Sequence, residues 1–82
     1  MDRLLMDTAA DNFEDAQGLT GAAQMQRLGL GLEQMARAVR IGSRNPLLVT
    51  TAADNFEEAQ GLADPAQMQR LCLGLMQFAR GL

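Results

Sequence analysis

Apolar residues recur three and four positions apart along this chain, in stretches that are separated by glycine-containing turns. Two of these stretches share the same rhythm without a slip. They are Met25, Leu28, Leu32, Met35 and Val39, and then Met68, Leu71, Leu75, Phe78 and Leu82. This spacing places the side chains on one face of an α-helix. The pattern therefore predicts two amphipathic helices, each of which turns this stripe towards a core.

A shorter stripe of the same kind precedes each of these helices. The two stripes are Met6, Ala9, Phe13 and Ala16, and then Val49, Ala52, Phe56 and Ala59. Asp2 and Asn45 stand where helix N-caps are needed, and Pro46 suits the first helical position. A later start at Thr8 and Thr51 is the alternative, but it would leave an apolar run after Pro46 exposed. We predict helices over residues 3–17, 22–40, 46–60 and 65–81, the last one with Asp64 as its N-cap.

The stripes belong to an internal repeat with a step of 43 residues. Residues 8–39 align with residues 51–82, and 23 of the 32 pairs are identical. A repeat of this length is one helical hairpin. Two copies are fewer than an open solenoid needs, so the hairpins should close on one another or on a second chain. We predict an all-α fold, with two tandem helical hairpins packed as a pseudo-two-fold four-helix bundle. It would form one domain, 1–82, with repeats 1–43 and 44–82.

Gly31 and Gly74 occupy the same repeat position inside predicted helices, where glycine costs about 1 kcal/mol relative to alanine. A close helix crossing with no room for a side chain would explain both. A phosphate-binding loop is the alternative, but these glycines do not precede a helix N-terminus. Asn12 and Asn55, which both copies keep, could bond across helices or face solvent, as could Gln17 and Gln60. The sequence does not decide between these two positions.

Composition excludes several classes of function. The net charge is −3, all seven cations are arginines, and no basic stripe is present, which argues against nucleic acid or an anionic membrane as partner. No apolar run approaches the ~18 residues of a membrane span, and the first residues lack the basic region of a signal peptide. We therefore expect a cytoplasmic location. With one cysteine and no histidine, we expect no metal site and no cofactor.

Catalysis is not expected either. Thr8, Thr51 and the carboxylates near them form the most suggestive cluster, but the chain has no His, Lys or Tyr that could serve as a base. We expect a protein that is not an enzyme, with no catalytic residues. Cys72 should behave as a small buried or interfacial apolar residue and not as a nucleophile.

One family resemblance can be traced to particular residues. Asp64 and Pro65 open a helix, Arg70 follows, and the stretch 71–75 reads Leu-Cys-Leu-Gly-Leu. This helix resembles the second helix of HEAT and armadillo-type repeats, whose period also includes 43 residues. The first copy departs from the pattern, with Gly21 and Ala22 in place of Asp64 and Pro65. The resemblance implies a protein-binding scaffold.

The function that we predict is a non-enzymatic protein-interaction or self-assembly module, with a homodimer as the expected state. The alternative is a small carrier that holds an apolar ligand in its bundle core. An interface is expected on the outer side of the second helices, where Glu33 of the first copy becomes Met76 and Gly29 becomes Cys72. The predicted interface residues are Leu30, Cys72, Leu73, Met76 and Ala79.

Overall fold

The computed structural model describes all 82 residues and contains four α-helices and no strand. They are α1 (Arg3–Gln17), α2 (Gly21–Val39), α3 (Pro46–Ala59) and α4 (Ala66–Gly81). Each predicted boundary lies within one residue of the observed one. The all-α fold and its two tandem hairpins are therefore confirmed.

The first helix of each hairpin begins at the predicted cap. The Asp2 carboxylate accepts a hydrogen bond from the Leu5 amide at 3.0 Å, and the Asn45 side chain accepts one from the Leu48 amide at 3.1 Å. Pro46 stands at the start of α3, where its missing amide hydrogen costs nothing. These caps satisfy amide groups that the helix itself leaves unpaired. The later start at the threonines does not occur.

The second helices begin without a side-chain cap. Helix α4 starts at Ala66 with Pro65 in the cap position, so the prediction that Asp64 caps α4 is wrong. Thr20 precedes α2 and also makes no capping hydrogen bond. Because these two helices have no side-chain cap, the packing of their apolar faces has to hold their first turns in place.

Each hairpin contains the same contact between an aromatic ring and a glycine. A Cβ atom added to Gly31 would lie 2.6 Å from the ring of Phe13, and one added to Gly74 would lie 2.6 Å from the ring of Phe56. The predicted lack of room for a side chain is observed, but its cause is not the predicted close crossing of two helix backbones. The neighbour of each glycine is a phenylalanine ring of the preceding helix, which occupies the space that a side chain would fill.

Polar groups join the two helices of each hairpin in a repeated way. Asn12 donates from Nδ2 to Oε1 of Gln34 at 2.7 Å, and Asn55 donates to Gln77 at 2.6 Å. The asparagines thus bond across helices, which settles the question that the sequence left open. The glutamines of the second helices, Gln24 and Gln67, donate to backbone carbonyls at the end of the first helix, each at 3.0 Å.

The largest buried cluster lies around Phe56, whose side chain has no exposed surface. The ring of Phe78 meets that of Phe56 edge-on, with 6.4 Å between ring centroids. Phe13, the repeat partner of Phe56, is only half-buried against the same cluster. The core is therefore centred on the second hairpin and on the side of α2 that faces it.

The helices pack in chain order: α1 on α2, α2 on α3, and α3 on α4. Helices α1 and α4 form no comparable interface, so the bundle is open along that side. Its Cα extents of 34 × 25 × 16 Å give it a flattened shape. The pseudo-two-fold relation that we predicted between the hairpins would pair α4 with α1 as α2 pairs with α3, so this part of the fold prediction is wrong. Here the two hairpins follow one another head to tail.

Candidate interaction surface

One side of α4 is apolar and open to solvent. This side carries Met68, Cys72, Leu75, Ala79 and Leu82, which are spaced four, three, four and three residues apart. Met76 lies beside them. All are exposed, although three of them belong to the stripe that we predicted to face the core. That prediction is wrong for Met68, Leu75 and Leu82. We call this surface the α4 outer face; it consists of Met68, Cys72, Leu75, Met76, Ala79 and Leu82.

The structure places the five predicted interface residues in three locations. Cys72, Met76 and Ala79 lie together on the α4 outer face. Leu73 is also exposed, but it points about 100° away from Cys72 around the helix, because successive residues turn by that angle. Leu30 lies on α2, half-buried in a surface groove with Leu19 and Gln60.

The same repeat positions of α2 are covered. Leu32 is 8% exposed whereas its partner Leu75 is 44% exposed, and Ala36 is fully buried whereas Ala79 is exposed. The cover is α3. A Cβ atom added to Gly29 would lie 3.1 Å from the Cγ atom of Gln60, the residue that caps the C-terminus of α3. The α4 outer face is thus a second copy of the face on which α2 receives α3, but no helix of this chain covers it.

Charged side chains close the interface between α2 and α3. Arg37 of α2 forms ion pairs with Glu33 of its own helix at 3.1 Å, and with Asp54 and Glu57 of α3 at 3.4 and 3.6 Å. Partial burial alone would lower the pKa of Arg37, but hydrogen bonds and the charges of Glu33 and Asp54 outweigh burial and raise it. Glu33 also accepts a hydrogen bond from Gln60 at 2.9 Å.

The counterparts of these charges are unpaired. Arg80, the repeat partner of Arg37, forms no ion pair, and Met76 stands where α2 has Glu33. On α1, Asp11 and Glu14 occupy the same repeat positions as Asp54 and Glu57. They form no ion pair either. The charged residues that pair α2 with α3 therefore recur on α4 and α1, where they form no ion pair.

Cys72 is exposed, so its expected burial within the chain is wrong, and a role in an interface with another chain stays a prediction. No group of three or more His, Cys, Asp or Glu side chains is arranged to hold a metal ion. None of the helices combines the length and the apolar character that crossing a membrane requires.

The sequence signal that locates this surface is the repeat itself. Leu75 belongs to the same heptad stripe as Leu71, and the stripe alone assigns both to the core. Only the packing order shows that the repeat position of Leu75 is covered in α2, where α3 packs on it, and open in α4. Comparisons with known proteins add no further guidance, because no protein-family model, no curated protein and no solved structure matches this chain.

Proposed function

We propose that this chain is a non-enzymatic helical-repeat module that binds protein through the α4 outer face, with a second copy of itself as the expected partner. The single observation that carries the proposal is the contrast between Leu32 and Leu75. The same residue, at the same repeat position, is covered in α2 and open in α4.

The chemistry of the surface supports a protein partner. Six adjacent apolar or small side chains on one helix face, bordered by Arg80, form the kind of patch that marks an interaction site. Single exposed leucines such as Leu47 are common and need no explanation, but a continuous helix face is different. The acidic net charge does not suit nucleic acid or an anionic membrane. A cytoplasmic location is part of the proposal.

The alternative, a carrier with an apolar ligand in the core, has no observation in its favour. The two grooves of the molecule lie at its surface, with volumes of about 420 and 340 Å³. One is lined by residues between Arg40 and Thr50, and the other by residues around Leu30. Neither is lined by Phe56 or Phe78, which fill the centre of the bundle.

Sedimentation velocity over a range of concentrations tests the proposal. We expect the wild-type mass to exceed 8.9 kDa at high concentration, whereas Leu75→Glu with Met76→Glu should give a folded chain of 8.9 kDa. The matched control is Leu47→Glu, at an exposed leucine of α3, which should associate like the wild type. A double variant that associates as strongly as the wild type would contradict the proposal, as would a wild type that stays monomeric at about 1 mM.

A further inference from the structure

We infer that the α4 outer face receives the outer side of α1 from a second copy of the chain, packed as α3 packs on α2. The inference rests on the proposed function and specifies both the partner and its docking surface. We call that surface the α1 outer face; it consists of Met6, Ala10, Asp11, Glu14 and Gln17.

The internal repeat supplies the template for this contact. A shift of 43 residues carries α1 onto α3 and α2 onto α4. The interface between α2 and α3 therefore joins the second helix of one repeat to the first helix of the next. Among the four helices, α4 is a second helix on whose outer side no first helix packs, and α1 is a first helix whose outer side packs on no second helix. The α4 outer face and the α1 outer face should therefore fit each other as the facing sides of α2 and α3 do.

The exposure of residues on α1 shows that no helix packs on the side of α1 that corresponds to the α2-facing side of α3. Ala53, which faces α2 from α3, has no exposed surface, whereas its partner Ala10 is exposed. Gln60 is half-buried and bonded to Glu33, whereas its partner Gln17 is exposed and has no side-chain hydrogen bond. The small residue that lets α3 approach α2 is thus also present on α1, facing solvent.

Charge complementarity points to the same pairing. In the template, Arg37 joins Asp54 and Glu57 across the interface. The corresponding groups at the junction between copies are Arg80 of one chain and Asp11 and Glu14 of the next. All three are unpaired within the chain. Docking in the template geometry would give each of them an opposite charge.

Four residues of the two outer faces differ from the template, and two of these exchanges, Leu82 for Val39 and Met6 for Val49, keep an apolar side chain. The other two change the chemistry of the junction. Cys72 replaces Gly29, so its Cβ atom would meet Gln17 as an added Cβ on Gly29 would meet the Cγ atom of Gln60, at 3.1 Å. The Gln17 side chain is flexible and solvent-facing, so it can shift by the few tenths of an ångström that are needed. Met76 replaces Glu33, which exchanges a hydrogen bond to glutamine for apolar contact.

A contact of this kind uses different surfaces on the two copies. Such a heterologous interface leaves one free end on each side and extends into a ring or an open series, in contrast to a two-fold dimer. One helix packing on one helix gives a small interface, so the association should be weak and concentration-dependent. The average mass should rise with concentration without a plateau at two copies.

Mixing two singly blocked variants tests the inference. Leu75→Glu blocks the α4 outer face, and Ala10→Arg blocks the α1 outer face with a residue that favours helix. We expect each variant alone to sediment at 8.9 kDa, and an equimolar mixture to form a 1:1 dimer of about twice that mass. Circular dichroism checks that both variants are folded. Ala79→Arg and Glu14→Arg are the substitutes if either of them is not, because the repeat partner of Ala79, Ala36, is fully buried against α3.

Each of the other outcomes overturns the inference in a distinct way. If Ala10→Arg associates like the wild type while Leu75→Glu is monomeric, two α4 outer faces bind each other, and the proposed function survives. If both variants are monomeric and their mixture is too, the head-to-tail pairing is wrong. If both variants associate like the wild type, the proposed function fails with the inference.

Discussion

A phenylalanine ring set against a helical glycine is the contact that most clearly defines each hairpin. Glycine inside a helix costs about 1 kcal/mol relative to alanine, yet both copies keep it at this position. The ring of Phe56 lies so close to Gly74 that a Cβ atom would stand 2.6 Å from it. The glycine therefore allows a large aromatic side chain to be buried fully between the two helices.

Removing the ring should destabilise the protein unequally in the two copies. Phe56 is fully buried at the centre of the largest cluster, so Phe56→Ala should lower the free energy of unfolding by roughly 3–5 kcal/mol. Phe13→Ala, its repeat-matched control, should cost less because Phe13 is only half-buried. Urea denaturation measures both. Equal losses would mean that the two hairpins contribute equally to one core.

Adding a methyl group opposite the ring should also destabilise the fold. Overpacking costs roughly 1–3 kcal/mol. The gain in helix propensity from glycine to alanine is only about 1 kcal/mol. We therefore expect Gly74→Ala to lower the midpoint of urea denaturation. Cys72→Ala, on the exposed side of the same helix, is the control and should leave the midpoint nearly unchanged. A more stable Gly74→Ala variant would show that the ring has room to move.

At the scale of whole helices, the four helices begin in two different ways. The first helix of each hairpin has a side-chain cap, from Asp2 or Asn45. The second helix of each hairpin has none. The repeat thus caps the first helix of each hairpin with a side chain, whereas the second helix depends on its packing against the first.

Substitution of the caps should reproduce this difference. Asn45→Ala removes the acceptor for the Leu48 amide and should cost about 1 kcal/mol of unfolding free energy. Asp64→Ala is the matched control, because Asp64 precedes α4 but makes no capping hydrogen bond, and its effect should be close to zero. Thermal or urea unfolding of the two variants gives the comparison. A similar loss for both would indicate that Asp64 caps α4 in solution.

Helix existence and boundaries could be predicted from the sequence because they depend on local signals. The spacing of apolar residues, the caps before α1 and α3, and the glycines after the helices all act within a few residues of the position that they define. The lack of room for a side chain at Gly31 and Gly74 was also predictable, since a costly residue kept in both copies calls for a packing reason. The identity of the neighbour, a phenylalanine ring, was not.

The candidate surface could be predicted only in part. Periodicity states which side chains share a helix face, but it does not state whether another helix covers that face. Leu32 and Leu75 have the same repeat position, and their exposure differs because α3 packs on that side of α2 while no helix of the structure packs on that side of α4. Cys72, Met76 and Ala79 were found because they depart from the first copy or lie beside residues that do.

At the scale of the whole molecule, packing in chain order gives the bundle two different outer helices. One carries the α1 outer face, with unpaired carboxylates, and the other carries the α4 outer face, with an unpaired arginine. Repeat arrays have this one-dimensional character, in which each unit contacts only its neighbours and the terminal units carry the unsatisfied surfaces. The proposed head-to-tail association would bring the unpaired carboxylates of α1 next to the unpaired arginine of α4 in a second copy.

The most direct test of this account is a dilution series followed by amide resonances in two-dimensional nuclear magnetic resonance. We predict that resonances along both the α4 outer face and the α1 outer face shift with concentration, while those at the covered interface around Ala36 and Ala53 stay unchanged. Shifts confined to α4 would contradict the head-to-tail contact. Spectra that do not change up to about 1 mM would contradict self-association altogether.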